Sequence, residues 1–264
     1  APVPYPVLLT RMAKIRELGA LGLELTGGEP LLHPQILKLV AEATSMGFFA
    51  RWMITNAYLL TESKVHALNA AGLTDMQISI DGVEPNEVTI KVLKPLRKRL
   101  EMLAGLAKFR VTISAVIGAA PPEEVKEVVR FAKELGFKPR VLLLHDGEGT
   151  LSLSPENIKL FEDLQDYLGS GAKEAHGYRN KLVRGEPAPF KCRAGSRYIY
   201  VDEHGQLLRC SQTRKRFSRD LLGYSAQDLK EQFNTHKPCN PYCTLGCART
   251  NSKLDEWRPQ PLGQ

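Results

Sequence analysis

The sequence predicts an α/β fold with a parallel sheet, followed by a small cysteine-rich domain. Two patterns carry that expectation. Between residues 7 and 145 stretches with helical apolar spacing alternate with short β-rich stretches, and all five cysteines lie beyond residue 190. A strand–helix–strand crossover returns the chain to the same edge of the sheet, so this alternation implies parallel pairing.

Leu8, Met12 and Ile15 recur at helical spacing up to Gly19, and Leu21 to Thr26 reads as the first strand. Ile36, Val40 and Ala43 mark a second helix that stops at Gly47, ahead of a strand from Phe48 to Thr55. Thr61 serves as N-cap of a third helix ending near Gly72, before a strand from Thr74 to Ile80. A fourth helix carries Leu96, Leu100, Leu103 and Ala107 on one face and leads to the strand Arg110 to Ile117. The fifth opens at Pro121-Pro122, carries Val125, Val129, Ala132 and Leu135, stops at Gly136, and precedes a strand from Arg140 to His145.

After residue 150 the pattern changes. Ser154-Pro155 caps a helix bearing Ile158, Phe161, Leu164 and Leu168, and the stretch Gly169 to Gly177 reads as a linker. Arg197 to Asp202 and Gln206 to Cys210 flank Glu203-His204-Gly205, the pattern of a β-hairpin. Three regions result: 1–150, a connecting helix and linker over 151–184, and a second domain over 185–264.

The net charge of +7 is no sign of nucleic-acid binding, because Lys94, Arg97, Lys98 and Arg99 fall together on one helix as a solvated face, and basic runs interleaved with aromatics are absent. No stretch approaches the roughly 20 apolar residues of a membrane span, and no basic-then-apolar signal opens the sequence, so a cytoplasmic location is expected.

Each strand runs into a loop rich in Gly, Asn, Asp or Glu, and parallel sheets bind ligands at the carboxyl ends of their strands. In Glu24-Leu25-Thr26-Gly27-Gly28-Glu29-Pro30, two glycines let a ligand approach the backbone, a carboxylate follows, and the proline fixes the exit. Gly27-Gly28-Glu29-Pro30, Thr55-Asn56 and Ser79-Ile80-Asp81-Gly82, in this order at successive strand ends, resemble the radical S-adenosylmethionine (radical SAM) enzymes over nearly all of residues 1–150.

That resemblance implies a partial (β/α)6 barrel that binds S-adenosylmethionine. It assigns Gly27, Gly28 and Glu29 to the cofactor's amino group, with Pro30 beside them and Asn56 and Asp81 on neighbouring loops also cofactor-binding. Ser79, and less directly Ser114, correspond to residues that reach its ribose or carboxylate, and Leu143 and the loop His145-Asp146 would lie near the adenine. The family's first strand and the three-cysteine loop that holds its [4Fe–4S] cluster have no counterpart here. They are expected to precede Ala1, which opens a Pro-rich lead into the helix that follows that loop.

The cysteines read independently as a metal site. An odd, clustered set without an export signal is poor material for disulfides. Cys192 precedes one hairpin strand and Cys210 ends the other, so antiparallel pairing can bring both to one centre. Cys239, Cys243 and Cys247 follow at intervals of four among Pro238, Pro241 and Gly246, a segment expected to fold around a metal rather than as a packed element. Thiolates alone suit iron–sulfur or zinc. Cys192, then Gly205 separated by four residues from Cys210, resemble the opening of SPASM and twitch domains, and five cysteines suffice for one auxiliary [4Fe–4S] cluster. Which two of Cys239, Cys243 and Cys247 complete it stays open at this point.

His145 and His176 are weaker candidates for bases, and Arg193, Arg197, Arg209, Arg214 and Arg249 cluster in sequence around the cysteines. By resemblance the chain cleaves S-adenosylmethionine reductively and oxidises or cross-links a peptide or small molecule, drawing electrons from a reductase or flavodoxin. The competing expectation is a non-catalytic zinc- or cluster-binding module.

Overall fold

The apolar periodicity of the first half becomes five parallel strands with helices against one face. The computed structural model describes residues 2–145, 151, 153–169 and 177–257. Its elements begin with α1 (Tyr5–Glu17), β1 (Gly22–Leu25), α2 (Ile36–Ser45), β2 (Ala50–Thr55), α3 (Glu62–Ala71) and β3 (Asp75–Ser79). They continue with α4 (Arg97–Leu106), β4 (Arg110–Ile117), α5 (Pro122–Glu134), β5 (Lys138–Leu143) and α6 (Pro155–Leu168). Strand order follows chain order, β1-β2-β3-β4-β5, and every pair is parallel.

Local chemistry sets the boundaries. Thr61 caps α3 by accepting from the Lys64 amide, and Gly72 ends it in the left-handed conformation at φ 86°. The fifth strand starts two residues before the expected Arg140 and stops before His145, because its register with β4 runs from Thr112↔Lys138 to Ile117↔Leu143 and β4 ends there. The helix expected as a connector, α6, packs on α5, β4 and β5. That packing buries Leu160, Phe161, Leu164 and Gln165, while Ile158 and Leu168 stay partly exposed.

Alternation divides the sheet into two faces. Met53, Met76, Ile78, Val111, Ile113, Ala115, Val141 and Leu143 are buried on one. The register places Glu24, Trp52, Gln77, Ser79, Thr112, Ser114 and Arg140 on the other. This second face is strongly concave. Arg140 on β5 donates to Gln77 Oε1 on β3 at 2.9 Å and acts electrostatically on Glu24 of β1. In a flat sheet four strand spacings would separate β1 from β5 by about 19 Å.

Two compact units divide the chain: residues 1–9, 20–144 and 153–168 form one, and residues 10–19, 145–152 and 169–264 the other. The second contains a three-stranded antiparallel sheet of β6 (Tyr200–Val201), β7 (Gln206–Leu208) and β8 (Arg219–Asp220). The expected hairpin is thus present, shorter than its pattern and extended by a third strand. The Asp202 carboxylate closes its turn by accepting from the amides of His204 and Gln206 at 2.9 and 2.8 Å. Helices α7 (Ala226–Asn234) and α8 (Gly246–Ser252) follow. A Ser225/Asp228 capping box opens α7.

The segment Cys239 to Cys247 is more ordered than its punctuation implies, with a 3-10 turn over Asn240–Tyr242 and Cys247 inside α8. Arg249 explains much of this order. Its guanidinium lies 4.0 Å from the Tyr178 ring centre and 4.3 Å from that of Phe190, and it donates to the Cys243 and Ala188 carbonyls. Among the described residues no helix is long and apolar enough to cross a membrane.

Gly72 offers a direct test of the α3 terminus, since an added Cβ would sit 2.7 Å from Thr44 Oγ1 in a backbone conformation that L residues avoid. Gly72→Ala is expected to destabilise the protein by about 1–2 kcal/mol in urea unfolding. An unchanged midpoint would show that neither strain nor contact matters there.

Candidate functional site

Parallel pairing brings the carboxyl ends of β1, β2 and β3 to one rim, and the Glu29 carboxylate ties two of them together. Its Oε1 accepts from the Leu31 amide at 2.9 Å and the Thr55 hydroxyl at 2.7 Å, and its Oε2 accepts from the Asn56 amide at 2.8 Å. Glu29 also caps a 3-10 turn that opens with buried Pro30. Both oxygens are therefore engaged in holding the Gly27-Gly28 turn against the end of β2. Asn56 in turn accepts from the Tyr58 amide at 3.1 Å, and Ala57 between them takes φ 64°, a conformation rare for a residue other than glycine.

Gly27 needs its glycine for backbone reasons, at φ 137°. Gly28 does not: its φ is ordinary, and a Cβ built on either residue meets nothing within 4 Å. Open space over a backbone that packing leaves uncrowded fits a ligand lying along this turn, as S-adenosylmethionine would.

The other residues at the rim have separate surroundings. Ser79 ends β3 half-buried, directly paired with Ser114 of β4. Ser114 is buried, and its hydroxyl donates to the Ile78 carbonyl at 3.4 Å. Asp81 is buried too. Its Oδ2 accepts from the Thr89 hydroxyl at 3.0 Å while Oδ1 has no partner, and burial raises its pKa against the opposing pull of Thr89 and Lys91. The Leu143 side chain is buried at the end of β5, which leaves mainly backbone to offer a ligand. His145 belongs to the second unit, where its Nε2 lies 2.9 Å from the Gln212 amide nitrogen. Asp146, Gly147, Glu148 and His176 lie outside the described residues.

Sequence reasoning missed the polar character of the concave face. Burial raises the Glu24 pKa, with Arg140 drawing it back down. Charged residues at alternate positions of otherwise apolar strands were the available signal.

In the second unit, Cys192, Cys210, Cys239 and Cys243 line one cavity of about 890 Å³, and Cys247 is not among its lining residues. Among the described residues no disulfide forms. The Cys210 sulfur lies 3.2 Å from the Thr213 hydroxyl. No three His, Cys, Asp or Glu side chains among the described residues converge closely enough to hold a single metal ion. Tetrahedral zinc would need sulfurs about 3.8 Å apart. Four thiols lining one cavity are nonetheless a donor set of the kind that suits iron–sulfur or zinc.

The arginines of this region divide by role. Arg193 pairs with Asp255 and stacks on Phe233, Arg197 also lies over Phe233, and Arg249 serves packing, whereas Arg209 and Arg214 line the cavity together with Arg216 and Lys237. Burial draws the Lys237 ammonium down to about 8.

Two outcomes follow. Glu29→Ala removes the acceptor of three hydrogen bonds, so hydrogen exchange at Leu31 and Asn56 should accelerate and stability fall by about 2 kcal/mol; unchanged protection would mean the loop is held otherwise. Burial pushes the Cys243 thiol from 9.0 up to about 12 and raises Cys192 as well. A folded pKa above the unfolded one means that metal-stripped protein keeps this contribution below about 9 and loses it as pH climbs toward about 12. Trp257 fluorescence in a Trp52→Phe background should follow the loss, and greater stability at pH 11 than at pH 8 would contradict it.

The description "Radical SAM superfamily" belongs to the family model that matches residues 6–149. The PqqA peptide cyclase of Gluconobacter oxydans (strain 621H) is 27% identical over 209 residues, spanning 74% of this chain and 57% of that protein. The PqqA peptide cyclase of Rhizobium meliloti (strain 1021) is 33% identical over 127 residues, 47% of this chain and 34% of that protein. The chain thus spans roughly a third to three fifths of the length of these curated relatives. Streptococcus suis SuiB bound to precursor peptide SuiA superposes with a TM-score of 0.64 at 16% identity, covering 87% of this chain and 57% of that one. SuiB bound to S-adenosylmethionine gives 0.61 at 15% identity, covering 84% and 57%. At such identity the likeness is one of fold. The family match takes in all five strands and the Gly27-Gly28-Glu29-Pro30 rim, and on that span the chain belongs to the radical SAM superfamily.

Proposed function

We propose that this chain binds S-adenosylmethionine and one auxiliary [4Fe–4S] cluster as part of a radical SAM enzyme that modifies a peptide. The observation that carries the reading is the open backbone at Gly27 and Gly28, held against the end of β2 by Glu29. In this superfamily S-adenosylmethionine and a reduced cluster together supply a 5′-deoxyadenosyl radical that abstracts a hydrogen atom. The cysteines of that cluster are not among residues 1–191, so this chain's own contribution is to bind and orient the cofactor.

Backbone groups of Gly27 and Gly28 meet the amino end of the cofactor, and Glu29 fixes them without giving up either oxygen. Ser79 offers a hydroxyl at the next strand end but one. In the second unit Cys192, Cys210, Cys239 and Cys243 ligate the auxiliary cluster in a twitch- or SPASM-type domain over residues 185–264, and Cys247 stands outside that set. Two relatives support a peptide substrate: one is named a peptide cyclase, and SuiB has been solved with a precursor peptide. A low-potential reductase or flavodoxin would supply electrons. Thiols that form no disulfide around a cavity, Cys210 buried and Cys192, Cys239 and Cys243 half-buried, suit a reducing, cytoplasmic setting.

The test is anaerobic reconstitution of the full natural protein with iron and sulfide, followed by reduction with S-adenosylmethionine present. We expect 5′-deoxyadenosine by mass spectrometry and at least tenfold weaker cofactor binding in Gly28→Leu. Cys210→Ala should lose about one cluster of iron while cofactor affinity is kept. Tight binding of another nucleotide at Gly27-Gly28 with no cleavage would overturn the reading.

A further inference from the structure

The four-thiol cavity has a one-sided charge. Its described lining includes Arg209, Arg214, Arg216 and Lys237 and no carboxylate. Two of these cations are fixed by a single buried residue. Gln232, 1% exposed on α7, accepts from Arg209 Nε at 2.8 Å through its amide oxygen and from Lys237 Nζ through its backbone carbonyl. Lys237 itself is only 3% exposed and lies two residues before Cys239, and both amide groups of Asn240 bind its carbonyl, at 3.1 and 3.0 Å. Arg214 and Arg216 are exposed.

A buried charge acts through a low dielectric and escapes salt screening, unlike an exposed one. Four thiolates leave an oxidised cluster anionic, and reduction adds one further negative charge. A fixed cation stabilises the reduced state more than the oxidised one.

We propose that Lys237, with Arg209, holds a fixed positive field that raises the reduction potential of the auxiliary cluster and so makes it a better electron acceptor. The inference rests on the cluster assignment above. In it the cluster gains one electron and no bond forms or breaks; in the measurement dithionite is the donor.

The experiment is an anaerobic redox titration of the reconstituted full-length protein, with the auxiliary cluster followed by electron paramagnetic resonance. Lys237→Gln should shift the reduction equilibrium at least tenfold toward the oxidised form, a fall of about 59 mV for one electron. Lys237→Arg should restore the wild-type value. Arg216→Gln should shift it far less, and that small shift should vanish in about 1 M salt while the Lys237→Gln shift persists. Unchanged potential in Lys237→Gln, with iron retained, overturns the proposal and leaves the cluster assignment standing. Should Lys237→Gln fail to hold iron, retention by Lys237→Arg supports a requirement for charge, and loss in both overturns it. A wild-type protein without iron at these cysteines overturns both readings.

Discussion

Everything at the rim depends on five strands pairing in parallel in the order in which they are made. With that order each crossover delivers its loop to one edge, so residues as distant as Glu29, Asn56 and Ser79 become neighbours without any long-range choice of partner. The Glu29 carboxylate then converts proximity into a fixed relation. Three donors converge on its two oxygens, and one of them, the Thr55 hydroxyl, is nearly inaccessible to water. Charge-assisted bonds of this kind are shorter and stronger than neutral ones, and few other contacts could hold a turn that contains two adjacent glycines. The motif is therefore a device for stiffness.

Curvature is the second consequence of the same pairing. Right-handed twist accumulates across strands, and here it carries Arg140 of the last strand within electrostatic reach of Glu24 on the first. The inner layer of such sheets is commonly filled by branched apolar residues. Glu24, Gln77 and Arg140 make this one polar, at a cost in desolvation visible in the raised Glu24 pKa.

The second unit uses different physics. Its strands are two or three residues long and supply little core, and much of its order comes from cations on aromatic rings and from side chains that bind backbone carbonyls. Arg249 between Tyr178 and Phe190 anchors the Cys243 carbonyl, and Gln232 anchors two cations. Burial favours the protonated form of the Cys192 and Cys243 thiols, so ligation by them would release protons and add its free energy to folding.

Period and punctuation determined most of the first half. The helices from α1 to α5 begin and end within a few residues of their apolar stripes, because Thr61, Gly72 and Pro122 act on the backbone locally whatever surrounds them. The rim motifs were legible for the same reason, and so was the hairpin turn at Asp202 to Gly205. Side-chain pairings were not. Nothing in the spacing tells that both Glu29 oxygens are spent within the chain, that Asp81 is buried against Thr89, or that Leu143 points into the core. Nor could spacing separate Cys247 from Cys239 and Cys243, which precede it at equal intervals: α8 carries Cys247, and only the other two line the cavity with Cys192 and Cys210. Backbone conformation answers to neighbours a few residues away and can be read along the chain, whereas burial, charge and the choice of ligand answer to neighbours in space, which only the tertiary structure supplies.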